Sequence, residues 1–176
     1  EVILCSRTVI DGKYQYIRNF MPHRPRMPLS EYSERTPIRQ EIRRLEKEGT
    51  LKGSQAWLAA TTTPAEELYD ITADPHEMNN LAGPAKHQAT LKRLRSALYD
   101  KMVSIRDTGL WPESELHSIG PRSVYSEIHD VPEEFYRAAL DVAMLVGTHS
   151  LDQQIELLAS SKPLFRYWAA VGVLAH

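Results

Sequence analysis

Cysteine is almost missing from this chain: among 176 residues there is one, Cys5. A single thiol excludes an intrachain disulfide and any cysteine-rich metal site, and it leaves the redox compartment open. Long apolar runs are absent as well. No stretch approaches the ~18 residues a membrane-spanning helix needs, and no secretory leader pattern opens the sequence. Charge of one sign is also lacking, since 21 Lys and Arg stand against 23 Asp and Glu, with a pI near 6.4. That balance gives no electrostatic reason to expect nucleic acid or an anionic membrane as partner. No acidic cluster has metal-ligand spacing, the histidines share none, and no Ser-His-Asp or Cys-His motif is visible. Finally, there is no initiating methionine. The chain opens at Glu1 straight into Val2-Ile3-Leu4, a strand-like run, which leads us to expect a chain cut from something longer and makes the missing leader uninformative about its address.

What is present suits a folded chain of one domain, or two small ones, with 42% apolar residues. Val2-Ile3-Leu4 and Thr8-Val9-Ile10 read as strand, Asp11-Gly12 as a hairpin turn, and Lys13 to Arg18 as the returning strand. Residues 21–37 hold Pro22, Pro25, Pro28 and Pro37 beside His23, Arg24, Arg26 and Arg35, an extended loop of a length that is often functional. A helix is expected from Thr36 as cap and Pro37 as first residue, with Ile38, Ile42 and Leu45 on one face and Gly49 as stop. A further helical turn is expected around Trp57.

The stretch Glu66–Ala82 contains a short strand, Glu67–Ile71, followed by Asp74-Pro75-His76-Glu77. Those four residues predict a capping box: Asp74 accepts from a backbone N–H and Glu77 reaches back to the cap's own N–H, opening a one-turn helix. After Gly83-Pro84, Leu91, Leu94, Leu98, Met102 and Ile105 step by three or four residues, so a long amphipathic helix is expected to lie across the sheet and to end at Gly109. Residues 110–131, interrupted by Trp111-Pro112, Gly120-Pro121 and Val131-Pro132, read as a connector. Three short helical blocks follow, Pro132–Val146, Leu151–Ala159 and Pro163–Ala175.

Taken together, Asp11-Gly12-Lys13-Tyr14-Gln15-Tyr16-Ile17-Arg18-Asn19-Phe20 and Glu67-Leu68-Tyr69-Asp70-Ile71, with Asp74-Pro75-x-Glu77-x-x-Asn80-Leu81, resemble the C-terminal part of the sulfatase family. The intervening Asn19 to Pro25 is similar to bacterial relatives of arylsulfatase A and heparan N-sulfatase. The tail around Lys162-Pro163-Leu164-Phe165-Arg166-Tyr167-Trp168 resembles the second helix of a HEAT-type repeat. The resulting expectation is an α+β fold: a small antiparallel sheet covered by a long amphipathic helix, then an all-α HEAT-like segment. Residues 1–113 would form the sulfatase C-terminal subdomain, 114–131 a linker, and 132–176 a truncated HEAT-like segment.

The resemblance implies a parent enzyme that hydrolyses sulfate esters or sulfamates on sulfated glycans, with a periplasmic or extracellular address. It implies calcium, a cation that takes oxygen ligands, and a formylglycine made from cysteine in a C-x-[PA]-x-R motif, all in an N-terminal α/β domain that would be this chain's partner. Cys5-Ser6-Arg7-Thr8-Val9 fails that motif twice, at Arg7 and at Val9, so no catalytic or metal-binding residue is assigned. The residues expected to meet substrate are Arg18, His23 and Arg24, because guanidinium donors grip oxyanions well. Two other readings stand beside this one: a helical-repeat binding module, and the tail of an alkaline-phosphatase-like phosphodiesterase or phosphonate hydrolase.

Overall fold

The computed structural model describes residues 4–118, 123–148 and 150–176. Three strands, β1 (Ser6–Ile10), β2 (Tyr14–Asn19) and β3 (Glu66–Asp70), form an antiparallel sheet in that order. Asp11 makes the hairpin. Its N–H donates to the Tyr14 carbonyl, its carboxylate accepts from the N–H groups of Lys13 and Tyr14, and Gly12 takes the positive φ of 91° that the turn needs. Of the run expected as a preceding strand, Val2 and Ile3 lie outside the described residues and Leu4 is not in a strand.

Between β2 and β3 the chain makes an excursion carrying α1 (Glu31–Glu34), α2 (Pro37–Lys47) and α3 (Ser54–Ala59). Pro37 opens α2 and Gly49 follows it at φ 67°, as expected. Thr36 occupies the cap position, but its hydroxyl donates to the Ser33 carbonyl instead of capping. The helix α2 buries no residue, and Ile38 stays largely exposed.

The strand register sets Val9, Tyr16 and Leu68 side by side on one face of the sheet. Across that face lies α4 (Gln88–Ile105), burying Leu91, Leu94, Leu98 and Met102. Two details differ from the periodicity. Ile105 is exposed at the helix end, and the stop is Arg106 in the left-handed region at φ 47°, three residues before Gly109. Arg106 tolerates that conformation because its N–H bonds to the carbonyl of Met102 and its guanidinium to that of Val103.

The capping box is not formed. Residues 71–80 make turns without a helix; the Asp74 carboxylate does accept from the Asn79 N–H at 2.8 Å, but Glu77 sits at φ 54° and accepts from Gln15 Nε2 on β2. Asn80 extends the sheet by imitation. Its side-chain oxygen accepts from the Leu68 N–H, its amide donates to the Glu66 carbonyl, and the next N–H, of Leu81, donates to the Leu68 carbonyl. The outer edge of β3 is thereby closed.

The stretch expected as a connector is partly helical, with a 3₁₀ turn at Thr108–Leu110, α5 (Glu113–Ser118) and α6 (Val124–His129). The Gly120-Pro121 break falls outside the described residues. The three tail blocks appear as α7 (Glu133–Met144), α8 (Leu151–Leu157) and α9 (Pro163–Leu174). One hydrophobic core joins Tyr16, Phe20 and Leu94 to Tyr136, Leu140 and Trp168. The Phe20 and Trp168 rings lie 5.7 Å apart, and the Trp168 indole donates to the Leu110 carbonyl. The fold is α+β, with the small sheet covered by its long helix and the tail helices sharing its core.

Candidate functional site

The C-terminal end of β2 leads into the proline-rich loop, and the three basic candidates stand along that path. Arg18 comes first and is fully buried. Its register partner across β1 is Arg7 and across β3 is Glu66, so it points to the α4 side of the sheet. There its guanidinium donates to the carbonyls of Ala65, Ala143, Met144 and Val146, the last at 2.6 Å. Three of these belong to the end of α7 and the residues just beyond it, where unpaired carbonyls and the helix dipole favour a cation. Burial pushes the Arg18 pKa down, against the pull of the Tyr16 and Glu66 oxygens. Arg18 therefore ties the sheet to the tail helices and is not presented to solvent.

Asn19, the next residue, starts a network on the opposite face. Its amide nitrogen donates to the Pro64 carbonyl and, at 2.6 Å, to the buried carboxylate of Glu67. Glu67 also accepts from Arg26 and from the Tyr69 hydroxyl, and the Arg26 guanidinium lies 3.8 Å from the Trp57 ring centroid. The loop is thus pinned to the sheet through a shared carboxylate. The sequence reading missed Asn19, Arg26 and Glu67. An acid one residue before Leu68 in a strand buried on both faces was the available signal.

Between these two anchors the backbone is also held. The N–H of Phe20 donates to the Cys5 carbonyl, that of Arg24 to the Met21 carbonyl, and that of Thr63 to the Pro22 carbonyl. Gly147, just after α7, presses against the loop; at φ 70° it leaves no room for a side chain, since a Cβ there would lie 2.9 Å from the Ala65 Cβ and 3.0 Å from the Pro22 Cγ.

His23 and Arg24 are carried on this fixed segment, both half-buried. Nδ1 of His23 and Nε of Arg24 are buried atoms without a hydrogen-bond partner, and among the described residues no carboxylate pairs with either side chain. Burial lowers the His23 pKa and the adjacent Arg24 charge lowers it further, which keeps the imidazole neutral near pH 7. The Arg24 guanidinium, with no acid to neutralise it among the described residues, is the group of this loop suited to an anion with several oxygens. The structure thus separates the three candidates: the terminal nitrogens of Arg18 are consumed by carbonyls inside the fold, while the His23 and Arg24 side chains stand half-buried in the loop and are not used in this way.

Cys5 lies beside β1 with its thiol directed to the Gly109 carbonyl, and burial raises its pKa. A nucleophile would need the opposite shift. Arg7, in the place where the motif requires proline or alanine, forms a two-pronged pair with Asp107. Among the described residues no group of three or more His, Cys, Asp or Glu side chains could hold a metal ion. The described residues, Cys5 included, do not fit a calcium and formylglycine centre.

No family model matches the chain. Among curated proteins it is 39% identical over 110 residues to an ulvan-active sulfatase of Formosa agariphila, a match covering 62% of this chain. Over that stretch the chain is sulfatase-like. It spans 18%, under a fifth, of the relative's length. No helix among the described residues is long and apolar enough to cross a membrane.

Proposed function

We propose that this chain is the C-terminal part of a sulfatase acting on sulfated glycans, supporting a catalytic α/β portion and turning His23 and Arg24 toward the sulfated sugar. The observation that carries this reading is the 39% identity to an ulvan-active sulfatase over 110 residues. The half-buried Arg24 guanidinium, which no carboxylate pairs among the described residues, supplies the chemistry for a sulfate contact. In this reading the nucleophile, the formylglycine and the calcium belong to the N-terminal partner portion, and the enzyme is periplasmic or extracellular. The helices α7–α9 are a HEAT-like extension fused to the sulfatase part; α9 packs on both α7 and α8, as paired repeat helices do.

A titration of the 176-residue chain with glucose 6-sulfate, followed by backbone and imidazole NMR, tests the reading. Saturable shifts centred on His23 and Arg24, lost in Arg24→Gln and absent with glucose, are expected. Shifts that ignore the Arg24 substitution, or no shifts, contradict it. Release of inorganic sulfate by the chain alone would move the catalytic centre into this chain and overturn the assignment of a supporting role.

A further inference from the structure

Where the end of α9 meets the proline-rich loop, a pocket of about 380 Å³ opens beside His23. The loop supplies His23, the segment before β3 supplies Thr62 and Thr63, and the end of α9 supplies Leu174 and His176. Two imidazoles from distant parts of the sequence thus line one cavity, and no described Asp, Glu, Lys or Arg lines it with them. Nδ1 of His23 is a buried atom with no hydrogen-bond partner, and no hydrogen bond or ion pair engages the His176 ring among the described residues. The base under His23 is rigid: the Pro22 carbonyl accepts from the Thr63 N–H, and Gly147 leaves no room for a side chain against Pro22 and Ala65.

A neutral imidazole without a partner is a metal ligand in its ready form. Burial and the neighbouring Arg24 charge hold His23 below the ordinary histidine range, so no proton has to leave it near pH 7. The local field also favours a cation. The helix α9 ends on the pocket wall with no basic residue in its last turn, so its negative end is not offset there, whereas the end of α7 is occupied by Arg18. An anion in the pocket would face that same helix end and find no lining cation. Imidazole nitrogen suits zinc, copper or nickel, while calcium and magnesium take oxygen ligands. We propose that the pocket binds a divalent transition-metal ion, held by one nitrogen each of His23 and His176. With two protein ligands instead of three or four, the ion keeps coordination positions open to solvent. This site stands apart from the sulfate contact of Arg24, which lies outside the pocket.

The 176-residue chain, titrated at about pH 7.5 with zinc chloride and in parallel with calcium chloride, tests the site by isothermal calorimetry and imidazole NMR. One equivalent of zinc should bind and shift the His23 and His176 ring resonances; calcium should do neither. His176 is exposed, so His176→Gln leaves the packing intact, and it should weaken zinc binding at least about tenfold, as should His23→Gln. His76→Gln, which removes an exposed imidazole outside the pocket, should change nothing. Copper(II) in place of zinc should give an electron paramagnetic resonance spectrum with coupling to two imidazole nitrogens. Zinc binding that neither His23→Gln nor His176→Gln weakens, or that falls as much with His76→Gln, is adventitious and overturns the site. Absence of zinc binding, or calcium bound as tightly as zinc, overturns it as well. Each of these results leaves the response of Arg24 to glucose 6-sulfate untouched; conversely, a metal-free chain that ignores glucose 6-sulfate while its zinc site behaves as expected loses the sulfate contact and keeps the metal site.

Discussion

The end of β2 and the loop that follows it carry the same residue type to opposite ends. Arg18 and Arg24 stand six residues apart, yet the terminal nitrogens of Arg18 have four carbonyl acceptors inside the core while no hydrogen bond from the Arg24 guanidinium is found among the described residues. The first guanidinium completes a helix terminus; the second is held in place by other residues and kept unpaired. Both arginines keep a buried Nε without a partner, so the difference within this short segment lies in the terminal nitrogens, which bind carbonyls in Arg18 alone. The same contrast appears between the helices. The tail helix α7 buries Tyr136, Ala139, Leu140, Val142 and Ala143, whereas α2, with a regular charged and apolar pattern, buries nothing.

Substitution at Arg18 should give the largest effect. Arg18→Met removes the donors to four carbonyls, three of them at the end of α7, and should cost about 3–5 kcal/mol in a chemical denaturation series, since buried acceptors left unpaired are expensive. A loss below about 1 kcal/mol would mean that the carbonyls find other partners and that Arg18 is not the tie. Gly147→Ala should come next, at roughly 1–3 kcal/mol, because it combines a positive φ with a Cβ that meets Pro22 and Ala65. It should also disturb the loop, so glucose 6-sulfate affinity should fall together with stability. Arg24→Gln should change stability by no more than about 1 kcal/mol, because it breaks no hydrogen bond found among the described residues and removes a buried donor that has no partner, while abolishing the sulfate response.

The smallest effect concerns pH. His23 titrates below its ordinary value because of burial and the Arg24 charge. Its folded pKa is lower than its unfolded one, so its contribution to stability is full above the ordinary histidine range and is lost as pH falls through the folded value. A bound sulfate favours the protonated ring. Sulfate affinity should therefore rise on acidification below about pH 6.5, accompanied by proton uptake, and His23→Gln should flatten the profile.

Much of the architecture was legible because local rules and burial agreed. Asp11-Gly12 made its turn, and the Leu91–Leu98 stripe found the sheet. The misreadings arose where tertiary partners outbid local ones. Glu77 left a capping role for Gln15 on β2, and Asn80 became part of the sheet edge. Arg106 stopped α4 in a conformation normally given to glycine, a choice that no periodicity encodes. At the candidate site, the sequence offers basic residues at the end of β2 and in the loop after it but does not tell which are consumed. That distinction depends on carbonyls 125 or more residues away, at the end of α7, and no spacing rule reaches so far.

The central claim, that Arg18 supports and Arg24 recognises, is tested most directly by thermal unfolding of the wild-type chain, Arg18→Met and Arg24→Gln with and without saturating glucose 6-sulfate. A ligand that binds only the folded state raises Tm. The wild type should show a raised Tm with ligand, Arg18→Met a low Tm that still rises with ligand, and Arg24→Gln a nearly unchanged Tm that no longer responds. A ligand-dependent rise that survives in Arg24→Gln and disappears in Arg18→Met would contradict it.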